Sequence, residues 1–221
     1  MNTRIKAFVF DLDGVITDSA EFHYEAWSRL ASELNIPFDK EYNELLKGVS
    51  RMESLELILN RKPEVNLPTA EKEALAARKN DHYKELIQTI SPEALLPGIG
   101  KLLEAIAEAG MGIALASASR NAPFIIERLG IGHYFQAIVD PAAVPQGKPH
   151  PDIYLQAAAE LGVAPSECVG VEDAEAGVQA VKRAGMYAVG IGSEKVLREA
   201  DYIVPDTSCL KLENILDRIE N

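Results

Sequence analysis

The chain of 221 residues carries 34 acidic against 22 basic side chains, a net charge of −12 with histidine neutral, which argues against nucleic acid as a partner. Hydrophobic residues make up 47% and charged residues 25%, a globular balance that excludes a disordered chain and provides material for a core. Met1 to Lys6 are basic, but only Ala7 to Phe10 follow as an apolar run before Asp11, so neither a signal-peptide core nor a membrane span is expected and the location is expected to be cytoplasmic. Cys168 and Cys209 lack CxxC spacing and are expected to be free thiols; no oligomerisation signal is visible, and a monomer is expected.

In chain order, Lys6 to Phe10 is a short β-prone run ending at acidic residues and Gly14, the pattern of a buried strand entering a functional loop. Residues 18 to 35 then carry Phe22, Trp27, Leu30 and Leu34 near helical spacing, with Asp18 and Ser19 as plausible caps. Lys40 to Leu59 and Ala70 to Ile90 are also helix-like, broken by KGVS and by Pro63 and Pro68, with no strand among them. After Pro97-Gly98 the texture alternates. The spacing predicts helix Ile99–Ala109, strand Gly112–Ala116, helix Ala122–Leu129 and strand Ala137–Val139. Helix Asp152–Leu161, strand Cys168–Val171, helix Ala174–Ala184, strand Tyr187–Ile191 and strand Tyr202–Val204 follow. Strands separated by helices of this length imply right-handed βαβ units. The expected fold is therefore α/β: a Rossmann-like parallel sheet with helices on both faces, residues 1–16 and 93–221, interrupted by a four-helix-like cap at residues 17–92.

Ligands of such sheets sit at the carboxyl ends of the strands, and the chemistry-bearing residues of this chain cluster there. Asp11 and Asp13 follow the first strand in FDLDGVITD; at i and i+2 they project to one face. A calcium loop is disfavoured because its fifth and twelfth places hold Val15 and Phe22, and a polar turn and a paired-carboxylate site stand as equal readings. Ser117 and Ser119, after the strand at 112–116, suit either a phosphate cradle or a helix cap. Lys148 in GKPHPD suits a phosphoryl oxygen or a solvated loop. Glu172 and Asp173, ending the strand at 168–171, suit a hard cation together with Asp11, or helix capping.

Nucleophile, hydroxyl, lysine and acid pair on four strand ends in chain order are hard to explain as four separate accidents. With DLDGVITD, the serine of LASAS, GKPHPD and VEDAEAG, the chain resembles the haloacid dehalogenase-like phosphotransferase superfamily across its whole core. EFHYEAW, LLKGVSRMESL, ARKND and LASASRNAP extend the resemblance into the cap and toward the sugar-phosphate mutases. Two departures are mild: Arg120 where lysine is commoner, and Ser19 where threonine is.

The resemblance implies that Asp11 accepts a phosphoryl group and that Asp13 is general acid and base. It implies one Mg²⁺ per chain held by Asp11, the backbone carbonyl of Asp13, Asp173 and Glu172, the last directly or through a water. Ser117, Ala118 and Lys148 would surround the transferring phosphoryl. Gly48, Val49, Ser50 and Arg51 in the cap, with Ser119, Arg120 and Asn121 in the core, would bind substrate, Arg51 gripping a second phosphate through its guanidinium fork. His23, Trp27, Lys79 and Asn80 are further substrate candidates; each is also a plausible packed or solvated residue. The implied partners are small sugar phosphates. The implied reaction interconverts β-D-glucose 1-phosphate and glucose 6-phosphate through β-glucose 1,6-bisphosphate, with sugar-phosphate hydrolysis as the alternative. Lys47, Arg51, Lys79, Arg120 and Lys148 would then have to offset the chain's negative charge locally.

Overall fold

In the computed structural model, which describes residues 5–46, 49–63 and 67–220, six strands form one parallel sheet. They are β1 (Ala7–Phe10), β2 (Gly112–Leu115), β3 (Ala137–Ile138), β4 (Cys168–Glu172), β5 (Tyr187–Ile191) and β6 (Tyr202–Val204). Their order is β3-β2-β1-β4-β5-β6. The order reverses beside β1, the central position where doubly wound sheets open a crevice at their carboxyl edge. Phe10 of β1 lies opposite both Leu115 of β2 and Val171 of β4, so the three strands end within one residue of one another and the residues after them converge.

Alternation along β1 covers both faces of the sheet. Ala7 and Val9 pack in one cluster with Ile153, Tyr154, Ala157 and Ala158 of α7 (Asp152–Leu161) and with Val178 and Val181 of α8 (Glu175–Arg183). Phe8 and Phe10 point the other way and are fully buried, each contributing about 1.5–3 kcal/mol by leaving water. On β2, α5 (Ile99–Glu108) packs and in turn meets α9 (Leu212–Glu220). The remaining helix of this unit is α6 (Ala122–Arg128). Strand and helix ends fall within one or two residues of the sequence expectation, but α9 was not anticipated. Its Leu212, Ile215, Leu216 and Ile219 do carry helical spacing, and Ile215 is fully buried.

The chain divides into two units, one holding the described residues of Met1–Asp18 with Ser91–Asn221, the other those of Ser19–Ile90. The sequence expectation puts these divisions at 16/17 and 92/93. In the sheet unit the two connections run side by side. Thr17 bridges to Leu95, the Thr17 hydroxyl donates to the Ala94 carbonyl at 2.8 Å, and the Leu96 N–H donates to the Ile16 carbonyl at 3.0 Å.

The other unit consists of α1 (Ala20–Glu33), α2 (Lys40–Glu44), α3 (Arg51–Leu59) and α4 (Thr69–Leu86). Trp27, Leu30, Leu55, Ile58 and Ala76 share its core. The helix-like run 40–59 is two helices, the second started by a capping box. The Ser50 hydroxyl accepts from the Glu53 N–H at 3.4 Å, and the Glu53 carboxylate accepts from the Ser50 N–H at 3.2 Å. Beyond the C-cap Leu34 of helix α1, Asn35, with a φ of 54°, turns the chain out of the helix. The capping expectation for Ser19 needs correction: it stands at the N-cap of α1 but makes no cap bond, because its hydroxyl pairs with the buried Tyr83 hydroxyl at 2.9 Å. No helix among the described residues is long and apolar enough to cross a membrane.

Candidate active site

Asp11 is the first residue after β1, and its N–H continues the ladder by donating to the Val171 carbonyl at 3.0 Å, so its side chain is delivered to the sheet edge by rigid backbone. The Lys148 ammonium, on the loop between β3 and α7, donates to Asp11 Oδ1 at 2.7 Å and to Glu172 Oε1 at 2.5 Å. The loop is anchored to α8, where the Arg183 guanidinium donates to the Pro149 carbonyl at 2.8 Å; the Lys148–Pro149 peptide is cis. The side chains of Lys148, Glu172 and Asp11 are only 1%, 1% and 9% exposed, so this is a buried ionic triad and not a solvated loop lysine.

Burial disfavours the charged lysine, but the Asp11 and Glu172 carboxylates more than offset it and hold Lys148 above the ordinary lysine range. For Glu172 burial wins: its carboxyl is held above the usual range despite the ammonium beside it. Tyr154 of α7, fully buried, donates its hydroxyl to Glu172 Oε1 at 2.6 Å, and its ring lies 5.2 Å below the Lys148 ammonium. Burial and then the Glu172 charge push the Tyr154 phenol well up, so it remains a donor.

Asp11, Glu172 and Asp173 each bring a carboxylate oxygen within 4.8 Å of the others. Three carboxylates against the one Lys148 ammonium leave a formal charge of −2, and all the donors are hard oxygens. That set fits a divalent cation, as the family suggests. Two glycines make room for the Asp173 and Glu172 carboxyl groups. A methyl on Gly14, whose φ is +74°, would overlap the Asp173 carboxylate; a methyl on Gly177, in the first turn of α8, would overlap the Glu172 carboxyl group. Asp13, two residues beyond Asp11, pairs its backbone with Thr17 in the tight turn around Gly14.

Ser117 is buried on the extension of β2 and its hydroxyl accepts from the Ser119 N–H at 3.1 Å; the Ser119 hydroxyl accepts from the Asn121 N–H at 3.2 Å. These two turns curl the loop so that Ala118 and Ser119 are half-buried and Arg120 is exposed, with Asn121 at the N-cap of α6. The sequence-derived core candidates are thus brought to one edge of the sheet: Asp11, Lys148 and Glu172 in contact, Asp173 with a carboxylate oxygen within 4.8 Å of those of Asp11 and Glu172, and the serine loop at the neighbouring strand end.

The other candidates lie in the helical unit. Lys79 of α4 is 4% exposed, its ammonium 4.6 Å from the Trp27 ring, 4.7 Å from the Tyr83 ring and 2.9 Å from His23 Nδ1. An ammonium has only donors, so Nδ1 of His23 accepts and Nε2 carries the proton. Burial first, then the Lys79 and Arg51 charges, keep His23 well below the ordinary histidine range. Trp27 and Asn80 are buried; Arg51 is half-buried in the first turn of α3, after the capping Ser50 and Val49. Gly48 and Lys47 lie outside the described residues. Sequence reasoning missed Tyr154, Tyr83 and Gly177. Each sits in a helix at a position that reads as ordinary packing, and only the contact reveals its polar neighbour.

Residues 5–185 match the model of the haloacid dehalogenase-like hydrolase family. The chain is 53% identical over 210 residues, 95% of its length and 93% of the relative's, to a β-phosphoglucomutase of Bacillus subtilis. It is 31% identical over 86% of its length, and 98% of the relative's, to a fructose-1-phosphate phosphatase of Escherichia coli. The crystal structure of a β-phosphoglucomutase from Clostridium difficile superimposes with a TM-score of 0.95 at 43% identity, covering 97% of each chain. With the sheet order, the buried triad and a family match spanning most of its length, the chain belongs to the haloacid dehalogenase-like hydrolase family.

Proposed function

We propose that this protein interconverts β-D-glucose 1-phosphate and glucose 6-phosphate, with the sheet unit as catalytic core and the helical unit as cap. The observation that carries the reading is the 53% identity to a β-phosphoglucomutase over 95% of the chain. The geometry around Asp11 supplies a route consistent with it. Asp11 is the nucleophile and carries the phosphoryl group between half-reactions. In the first, the phosphoryl leaves Asp11 for O6 of β-glucose 1-phosphate, and Asp13 takes the hydroxyl proton. The β-glucose 1,6-bisphosphate so formed turns over; Asp11 then takes the phosphoryl from O1, and Asp13 returns its proton to O1 as that bond breaks. Lys148 is preset 2.7 Å from Asp11, so its charge meets the transferring group without having to reorganise. The Ser117 hydroxyl and the Ala118 N–H provide further donors.

Mg²⁺ is the proposed cation, held by Asp11, Asp173, Glu172 and the Asp13 carbonyl, and it supplies positive charge against the transferring phosphoryl. Arg51 is assigned the phosphate that is not being transferred, and Lys79 and Asn80 are assigned sugar hydroxyls; in the sheet unit, Ser119 and Asn121 are assigned to substrate binding. Trp27, buried beneath the Lys79 ammonium, and neutral His23 hold that ammonium in place.

The phosphatase relative makes hydrolysis the competing reading. Purified protein given Mg²⁺, β-glucose 1-phosphate and a trace of β-glucose 1,6-bisphosphate should form glucose 6-phosphate. Release of free phosphate and glucose alone would replace the mutase reading with the hydrolytic one. Asp11→Asn should abolish both outcomes.

A further inference from the structure

The side chain that shares Lys148 with Asp11 is Glu172, and its surroundings are unusual in one respect. Its Oε1 accepts from both Lys148 and Tyr154, while its Oε2 has one long contact, to the Ala174 N–H at 3.5 Å. The carboxyl group itself rests on Gly177, and the three heavy atoms nearest to the site of a Gly177 methyl all belong to that carboxyl. Gly177 lies inside α8 with no positive φ, so the backbone does not demand glycine there. In a helix interior glycine is the poorer choice and alanine the better one. What the position does demand is space. Only two residues separate β4 from α8, so Glu172 folds back along the first turn of the helix, where any side chain at 177 would meet it.

We propose that Gly177 is a positioning residue whose missing side chain forms the seat of Glu172 and, through it, sets the Lys148 ammonium against Asp11. The proposal deepens the phosphoryl-transfer reading and rests on it for its catalytic consequence. The collision between a side chain at 177 and the Glu172 carboxyl group is independent of that reading. Moving the Glu172 carboxyl off its seat breaks the shared contact with Lys148 and displaces one of the three oxygens of the acidic cluster.

A double-mutant cycle separates these effects. Gly177→Ala should lower the thermal midpoint by several degrees when Glu172 is present. In a Glu172→Ala background it should leave the midpoint unchanged or raise it, since the collision is gone and only the better helix former remains. At a temperature where all variants are folded, calorimetric titration of Mg²⁺ into Gly177→Ala should show roughly 10-fold weaker binding or more, the usual cost of losing a residue that orients a metal ligand. Its isomerisation should lose kcat at saturating Mg²⁺ with KM for β-glucose 1-phosphate little changed. An equal midpoint shift in both backgrounds overturns the seat. A coupled midpoint with wild-type Mg²⁺ affinity and kcat overturns the positioning role. If the wild-type protein makes no glucose 6-phosphate, the mutase reading fails, yet the cycle and the titration still decide the role of Gly177.

Discussion

Replacing Lys148 with methionine tests how the buried triad is held together. Methionine keeps an apolar stem over the Tyr154 ring and removes the charge, leaving Asp11 and Glu172 as buried carboxylates with no ammonium between them. Removing one partner of a buried ion pair typically costs about 3–5 kcal/mol, because the remaining charge stays desolvated. For a protein of this size that is a fall of roughly 6–20 °C in the thermal midpoint, at roughly 2–4 °C per kcal/mol. The folded state holds the Lys148 proton more tightly than the unfolded chain does. The stabilisation is therefore complete below the ordinary lysine range and lost only as pH rises through the folded value, so a comparison at pH 7–8 reads it in full. Lys40→Met is the control. Its ion pair with Glu21 has nearly the same length, 2.8 Å against 2.7 Å, but both side chains are 66% exposed, and the midpoint should stay near that of the wild type. Scanning calorimetry in chelator should thus separate a buried lysine shared by two carboxylates from an exposed lysine paired with one. Equal shifts for the two variants, or a Lys148→Met protein as stable as wild type, would refute the argument.

Other outcomes follow from the proposed function and from the burial of the cysteines. Asp13→Asn should slow transfer from sugar phosphates by ~10² to 10⁴, the usual worth of a general acid, and should slow donors with acidic leaving groups much less; equal slowing of both would remove Asp13 from that role. Arg51→Ala would take away the proposed charge-assisted contact to the phosphate that is not being transferred, worth ~1.5–3 kcal/mol per hydrogen bond. Isomerisation should fall sharply while hydrolysis of a small donor with no second phosphate changes little, and unimpaired isomerisation would release Arg51 from its assignment. The Cys168 thiol is buried and pushed up to about 11 by desolvation, whereas Cys209 is exposed, so a thiol reagent should label one cysteine in the native protein and both after unfolding. Two fast native thiols would contradict the packing of β4.

Much of the fold is written in local periodicity. The β1, β2 and β4 runs are buried on both faces and read as short apolar stretches ending at charged or hydroxyl residues, which is why Asp11, Ser117 and Glu172 could be placed at strand ends before any contact was known. Two elements escaped for different reasons. Helix α9 has the right spacing but follows a turn-rich stretch, and its value to the fold lies in burying Ile215 beside α5, a partner more than a hundred residues away. Ser19 looked like a cap because serine before a helix usually is one; the Tyr83 hydroxyl, 64 residues on, took its side chain instead.

The site divides along the same line. Residues that carry charge at a strand end announce themselves, because carboxylates and lysines are costly to bury without a purpose. Residues that shape the site do not. Tyr154 is one of several apolar or aromatic positions on α7, and nothing in DIYLQAAAEL separates a hydroxyl aimed at Glu172 from one aimed at solvent. Gly177 sits in a helix where glycine reads as a weak spot, and Gly14 reads as a simple turn glycine. In both cases the informative quantity is the volume left empty, which exists only once a second segment has been folded onto the first. The adjacent acids Glu172 and Asp173 face different glycines on different segments, one on α8 and one after β1. Their spacing is therefore set by tertiary packing and not by the dipeptide that displays them.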